Sequence, residues 1–255
     1  MGSVFIQEVL LMHRFYADSP VRAGEKVSLS EEDTRHALRV LRLRPGSEIE
    51  LFAGGRRYSA LLGEASGTRV SVLLSRELPS TESALKITLY QGLPKADKME
   101  WIIQKTVELG IERIVPVQMK RCVVRLDDRD ALRKAERWQR IAREAGKQSG
   151  RCSVPEVTSP VFFSSLPELL SAHDACVVPW EEASGCGPRA FFSSHPVLSS
   201  LGIVIGPEGG IEPSEIEVLR SASCIPITLG PRILRTETAG LAASAALLAL
   251  YGEME

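Results

Sequence analysis

Leu229–Ala239 reads LGPRILRTETA, and within it a strand exit, a tight turn and a charged helix start follow one another directly. The chain then runs from Thr236 to Tyr251 in small and branched apolar residues: Ala239, Ala242, Ala243, Ala245, Ala246 and Ala249 lie among Leu241, Leu247, Leu248 and Leu250. A helix this apolar is expected to be buried, which holds the turn before it rigid. Thr236 is its expected N-cap, and Glu237 sits in the first turn at the positive end of the helix dipole. Gly230-Pro231 fixes the turn and presents Arg232 and Arg235 beside it. Taken alone, the stretch reads equally as a capped helix packed on a sheet, because short motifs have little specificity.

A second loop of the same kind lies upstream. Leu201–Ile205 is a short apolar run that leads into Gly206-Pro-Glu-Gly-Gly210, and Glu212-Pro-Ser-Glu215 opens another helix. Gly206, Gly209 and Gly210 permit positive φ and close approach of backbone to a ligand. Two strand-turn-helix loops so near in sequence point to one pocket.

These loops, with KADKMEWIIQKTVELGIERIVPV at 95–117 and RWQRIAREAGKQSGR at 137–151, resemble the SPOUT-superfamily methyltransferases of the RsmE family, which methylate uracil N3 in small-subunit ribosomal RNA. The resemblance covers nearly the whole chain from Met12 onward. It implies an α/β fold whose C-terminal SPOUT domain has a parallel sheet and a deep trefoil knot, preceded by a small PUA-like β-barrel that binds RNA. It also implies S-adenosylmethionine as cofactor, 16S rRNA within the small subunit as partner, and a homodimer paired through the knot. One departure is visible: Gly240 stands where the family usually has proline after the TETA alanine, so a looser first helical turn is expected.

The chemistry of that reaction, set against these loops, suggests roles. Transfer of a sulfonium methyl group needs an electron-rich acceptor, and the neutral N3–H of uracil is a poor one. An arginine that stabilises the N3 anion in a dry pocket acts as an oxyanion hole does. Arg235 is the expected catalytic residue; its structural alternative is an ion pair with Glu237 or Glu208. The cofactor is expected against the main chain of Leu229, Gly230 and Leu234, with Ile205 and Ile233 as apolar walls and Gly206 and Gly209 leaving room for ribose and methionine. Pro179, Pro207, Thr236 and Ala239 complete that set. Glu208 either touches cofactor or base or braces its loop.

Composition sets bounds. With 255 residues and a net charge of −1, the chain has a sizeable core and no global nucleic-acid signature. Cys122, Cys152, Cys176, Cys186 and Cys224 have no CxxC spacing, which argues for reduced thiols and against a zinc site. No metal cluster, GxxxxGKS or suitably placed GxGxxG supports metal chemistry, NTP hydrolysis or dinucleotide redox chemistry. Ser3–Leu11 is mostly apolar but contains Gln7 and Glu8 and lacks a basic lead and a cleavage site, so no signal peptide is expected. Residues 1–11 read as a possible extension, no run suits a membrane span, and a cytoplasmic location is expected.

The expected domains are a barrel at 1–76, a linker at 77–84 and a methyltransferase domain at 85–255. Short strands at Lys26–Leu29, Glu48–Phe52, Arg57–Leu62 and Thr68–Leu74 build the barrel. Between them Ser30-Glu-Glu-Asp33 starts a helix that places Arg35, Arg39 and Arg42 on one face, with Leu38 and Leu41 turned to the barrel. After the linker, strands are expected at Ile87–Gln91, Ile114–Val117, Ala175–Val178, Leu201–Ile205 and Ile225–Leu229, with helices at Lys98–Leu109 and Ala131–Lys147. Residues 182–200 read as irregular. Residues 95–151 hold fifteen Lys or Arg against nine Asp or Glu, against eleven and nine in 1–76. Arg14, Arg35, Arg39, Arg42, Lys95, Lys98, Lys147 and Arg151 are the expected RNA ligands, although a solvated basic face explains any one of them. Two other functions fit less well: ribose 2'-O-methylation by the related SpoU branch, whose Asn...Arg signature is missing from Lys98–Arg113, and a non-catalytic rRNA-binding assembly factor.

Overall fold

Buried and exposed positions alternate along Arg56–Ser66 and Arg69–Leu78, turning Tyr58, Ala60 and Leu62 inward from one strand and Val70, Val72 and Leu74 from the other. The computed structural model describes residues 12–17 and 21–254, so the possible extension at 1–11 lies outside the described residues. By packing, the chain forms two units: residues up to 82 together with 146–153, and 83–145 together with 154 onward.

The first unit contains β1 (Arg14–Tyr16), β2 (Lys26–Ser28), α1 (Glu31–Arg35), β3 (Glu48–Ala53), β4 (Arg56–Ser66) and β5 (Arg69–Leu78). The expected barrel takes the form of a five-stranded sheet in the order β1-β3-β4-β5-β2, around a core that includes Phe15, Leu29, Leu51, Tyr58 and Val72. β1 was not expected; it lies parallel to β3, with Arg14 beside Glu50. β5 continues to Leu78, past the expected start of the linker. Ser30 caps α1 by accepting from the Asp33 N–H, and a π-helical turn over His36–Val40 follows at once. That wider turn ends the helix before Arg42, which sits at φ 55°. Arg35, Arg39 and Arg42 therefore do not share one α-helical face, although all three are exposed.

The second unit runs β6 (Lys86–Gly92), α2 (Lys98–Leu109), β7 (Arg113–Gln118), α3 (Asp128–Ser149, whose residues from 146 on belong to the first unit), β8 (Glu156–Val157), β9 (Val161–Phe162), α4 (Leu166–Leu170), β10 (Ala175–Pro179), α5 (Pro188–Ser194), β11 (Ser200–Ile205), α6 (Pro213–Ser221), β12 (Cys224–Ile227) and α7 (Thr236–Leu250). Its strands form a parallel sheet ordered β12-β10-β11-β6-β7-β8, with β9 also on β7. β6, β7 and β11 are buried on both faces, hence the apolar runs Ile114–Val117 and Leu201–Ile205, while β6 also buries Thr88 and Gln91. α2 buries Met99, Ile102, Ile103 and Thr106 and stops at Gly110, whose φ of 105° suits glycine.

Two readings need correction here. α5 lies inside the stretch expected to be irregular, with Pro188 at its first position after Gly187. α7 is not buried all round: Thr236, Gly240, Ala243, Ser244, Leu247 and Leu248 are buried, whereas Leu241, Ala242, Ala245 and Ala246 are half-buried and Ala249 is exposed.

Candidate active site

Open α/β sheets bind ligands beyond the carboxyl ends of their strands. β10 ends at Pro179 and β12 at Ile227, and past these ends opens a cleft of about 460 Å³. Pro179, Trp180, Glu181, Ala183 and Ser184 line one part, residues 228–234 another, and Ala239 of α7 completes it. The volume suits a cofactor-sized ligand, which takes roughly 300–1,000 Å³. Among the described residues, the main-chain N–H groups of Leu229 and Leu234 make no hydrogen bond, while that of Gly230 donates to the Thr228 hydroxyl at 3.2 Å. Ile233 stands out at the rim, 87% exposed.

Of the residues expected at the cofactor, Pro179, Leu229, Gly230, Ile233, Leu234 and Ala239 line the cleft. Ile205, Gly206, Pro207, Glu208, Gly209 and Thr236 do not line it; they build its support. A Cβ on Gly206 would meet Ile211 at 2.7 Å, so this glycine lets its loop close tightly on itself. Gly209 similarly admits Arg121, which donates from Nε to Glu212 at 2.7 Å and from Nη1 to the Gly209 carbonyl at 3.1 Å. Sequence reasoning missed this brace, because nothing local links Arg121 to residues 209–212.

Thr236 is not the N-cap of α7. Arg235 takes that position in extended conformation, and the Thr236 hydroxyl donates to the Gly206 carbonyl at 2.6 Å. The same oxygen accepts from Gln91 Nε2 at 2.9 Å. Gln91 is fully buried on β6, and Gly92 beside it is packed so closely that a Cβ would lie 2.7 Å from the Pro207 nitrogen. Both residues thus register the two loops against one strand. Trp180, Glu181 and Thr228 were also missed in the cleft; their place directly after β10 and β12 is the signal that marks them.

Glu208 braces its loop. It accepts the Lys95 N–H at 3.0 Å, and Lys98 Nζ lies 3.2 Å from Glu208 and 3.1 Å from Glu237. Burial works against the Glu208 carboxylate, but the Lys95 amide and the Lys98 ammonium outweigh it and hold its pKa below the usual value. Glu237 first, with Glu208, raises the pKa of Lys98. Lys98 therefore takes both carboxylates proposed as partners for Arg235. The Arg235 residue is exposed; its carbonyl accepts the Thr238 and Ala239 N–H groups, and its guanidinium has no hydrogen-bond or ion-pair partner among the described residues.

The expected RNA ligands divide in the same way. Arg14 reaches Glu50 at 3.2 Å and the Gln148 carbonyl at 2.8 Å; Lys147 meets the buried Asp33 at 2.8 Å. Arg151 is 4% exposed and bound to Glu82, so Arg14, Lys147 and Arg151 are each held by a carboxylate within the first unit. Lys98 is committed to its two carboxylates. Arg35, Arg39, Arg42 and the Lys95 side chain remain exposed. No helix among the described residues is long and apolar enough to cross a membrane.

Residues 81–248 match a family described as an RNA methyltransferase domain, and residues 29–75 match an RNA methyltransferase PUA domain. A parallel sheet with this cleft, joined to a PUA-like unit, defines an RNA methyltransferase. Ribosomal RNA small subunit methyltransferase E of Bacillus subtilis (strain 168) is 40% identical over 250 residues, which cover 92% of this chain and 96% of that one. The crystal structure of ribosomal RNA small subunit methyltransferase E from Neisseria gonorrhoeae bound to S-adenosyl methionine superposes with a TM-score of 0.81 at 36% identity, covering 94% of this chain and 98% of that chain. A methyltransferase from Legionella pneumophila in complex with the cofactor SAM gives 0.82 at 30% identity over 94% of this chain and 98% of that chain. The chain belongs to the ribosomal RNA small subunit methyltransferase E family.

Proposed function

We propose that this protein transfers the methyl group of S-adenosylmethionine to N3 of a uridine in 16S rRNA, with Arg235 as the catalytic residue. The observation that carries the reading is an exposed arginine at the N-cap of α7, its guanidinium unpaired among the described residues, next to a cleft of cofactor size. The free main-chain N–H groups of Leu229 and Leu234 suit the edge of an adenine, and Pro179 and Ala239 offer apolar surface. Bound there, S-adenosylmethionine supplies an electrophilic methyl group on a sulfonium. Uracil N3, once its proton has passed to solvent, carries a negative charge that the Arg235 guanidinium stabilises; this anion would take the methyl group as the S–CH3 bond breaks, with the neutral thioether S-adenosylhomocysteine as the leaving group. Lys98 keeps Glu208 and Glu237 from quenching that guanidinium.

The remaining parts of the proposal are architectural. The first unit binds RNA through Arg35, Arg39 and Arg42, Lys95 is an RNA ligand of the second unit, and the two domains join within 77–84. The chain through the 206–250 region forms a trefoil knot, and the Thr236 hydroxyl, donating to the Gly206 carbonyl, ties its two loops together. Two copies pair through this region; the half-buried Leu241, Ala242, Ala245 and Ala246 of α7 supply an apolar face for a second copy. The substrate is the small ribosomal subunit, which places the enzyme in the cytoplasm. The test is incubation with labelled S-adenosylmethionine and small subunits from a strain lacking the modification, followed by nucleoside mass spectrometry. Label in 3-methyluridine is expected; label in a 2'-O-methyl nucleoside, or none despite cofactor binding, refutes the proposal.

A further inference from the structure

A second, smaller cavity lies where β6 passes into α2, and no step of methyl transfer uses it. It measures about 150 Å³ and is walled by Leu93, Val124, Leu126 and Trp138. That is too little for a cofactor, yet about five times the ~30 Å³ share of one liquid water. Leu93, Val124, Leu126 and Trp138 make one part of its lining apolar, and Asp97 and Lys134 make another part polar. It has the room and the surface of a slot for one flat ring.

Its rim carries unused polar groups. Asp97 is the N-cap residue of α2, but its carboxylate makes no capping bond and lines the cavity instead. Lys134 lies with Nζ 5.7 Å from the centroid of the Trp138 ring and has no ion-pair partner among the described residues. Ala96, between them and the exposed Lys95, is held at φ 53°, a left-handed conformation that a residue with a Cβ seldom adopts. Strained backbone of this kind gathers at ligand clamps.

We infer that this cavity takes one unstacked base of the RNA strand, a neighbour of the nucleotide that is methylated; the inference rests on the RNA methyltransferase reading above. Single-stranded RNA is recognised by splaying bases onto aromatic and apolar surfaces while cations follow the backbone. Here the ring lies against Leu126 and Trp138, Asp97 accepts from a base N–H, and Lys134 and Lys95 meet the base edge and its phosphate. The cavity and the cofactor cleft share no lining residue, which is why its occupant is a neighbour of the acceptor and not the acceptor itself.

The test uses the full-length protein with small ribosomal subunits and two variants, Val124→Phe to fill the slot and Lys134→Gln to remove the cation without disturbing packing. The expected result is a KM for subunits raised about tenfold by Val124→Phe, the size of one lost base stack, and about threefold by Lys134→Gln, with the Kd for S-adenosylmethionine unchanged. Binding of a synthetic RNA fragment with abasic sites walked along it should weaken at one flanking position in the wild type and no further at that position in Val124→Phe. A KM within twofold of wild type for both variants, or additive losses at every abasic position, overturns the inference. If the wild type methylates no subunit at all, the underlying functional reading fails instead.

Discussion

Replacing Glu82 by glutamine removes a negative charge from a site in which every neighbour is a donor. Its carboxylate accepts from Arg151 Nε at 3.1 and 3.0 Å, from Arg151 Nη2 at 2.6 Å, from the Cys152 N–H at 2.6 Å and from the Ser153 hydroxyl at 3.0 Å. The side chains of Arg151 and Glu82 are 5% and 11% exposed. Breaking such a buried pair from one side costs about 3–5 kcal/mol, and because glutamine keeps the volume and one acceptor oxygen, about 3 kcal/mol is expected. Burial pushes the Glu82 pKa up, but Arg151 and the Cys152 and Ser153 donors outweigh it and hold it below 4.5. A depressed folded-state value means that the stabilisation is complete above the unfolded value near 4.5 and is lost as pH falls through the folded one. Urea unfolding of wild type and Glu82→Gln, followed by circular dichroism across this range, should show the full gap at pH 7 and a closing gap in acid. A gap below about 1 kcal/mol at pH 7, or one that does not narrow in acid, would refute the reasoning.

Three more outcomes are expected. Arg235→Ala should lower turnover about 10²–10³-fold, as removal of an oxyanion-type donor does, while calorimetry finds S-adenosylmethionine binding intact; unchanged turnover would remove Arg235 from catalysis. Changing Arg35, Arg39 and Arg42 together to alanine should weaken RNA binding and flatten its log–log salt dependence by about two, at roughly 0.7 per single-strand phosphate contact, and an unaltered slope would return these arginines to a solvated face. Gly240→Ala should raise stability by about 0.5–1 kcal/mol, because a Cβ there meets Gln91, Ile205 and Leu89 at an ordinary 3.5–3.6 Å; a lower melting temperature would show that α7 needs the missing side chain.

What was legible in the sequence was periodic or local. The bounds of α2, its inward Met99, Ile102 and Ile103, and its stop at Gly110 follow from helical spacing and one glycine. The strands of the parallel sheet stand out as apolar runs because both their faces are covered. What failed depended on distant partners. Thr236 resembles an N-cap by every local rule, yet its hydroxyl is taken by a carbonyl thirty residues earlier. Lys147 and Arg151 count as free cations in any charge tally, and only the fold brings Asp33 and Glu82 to them. The π-helical turn at His36–Val40 left no periodic trace, so the shared arginine face could not be corrected in advance. Of the residues expected at the cofactor, Leu229, Gly230, Ile233, Leu234 and Ala239 after β12 line the cleft past the strand ends, whereas the glycine loop at 206–210 does not.

The membership of residues 146–153 in the first unit bears on how the chain is made. Asp33 pairs with a lysine 114 residues downstream, Glu82 with an arginine 69 residues downstream, and the Tyr16 hydroxyl with a carbonyl 135 residues downstream. Domains generally fold from the N-terminus as the ribosome delivers them, at about 5–20 residues per second. This unit departs from that order: when β5 emerges, the carboxylates of Asp33 and Glu82 still wait for cations that follow β7 and most of α3. A fragment ending at Glu82 is thus an unfinished body rather than a detachable RNA-binding module, and the last turn of α3 is the piece of chain that completes it.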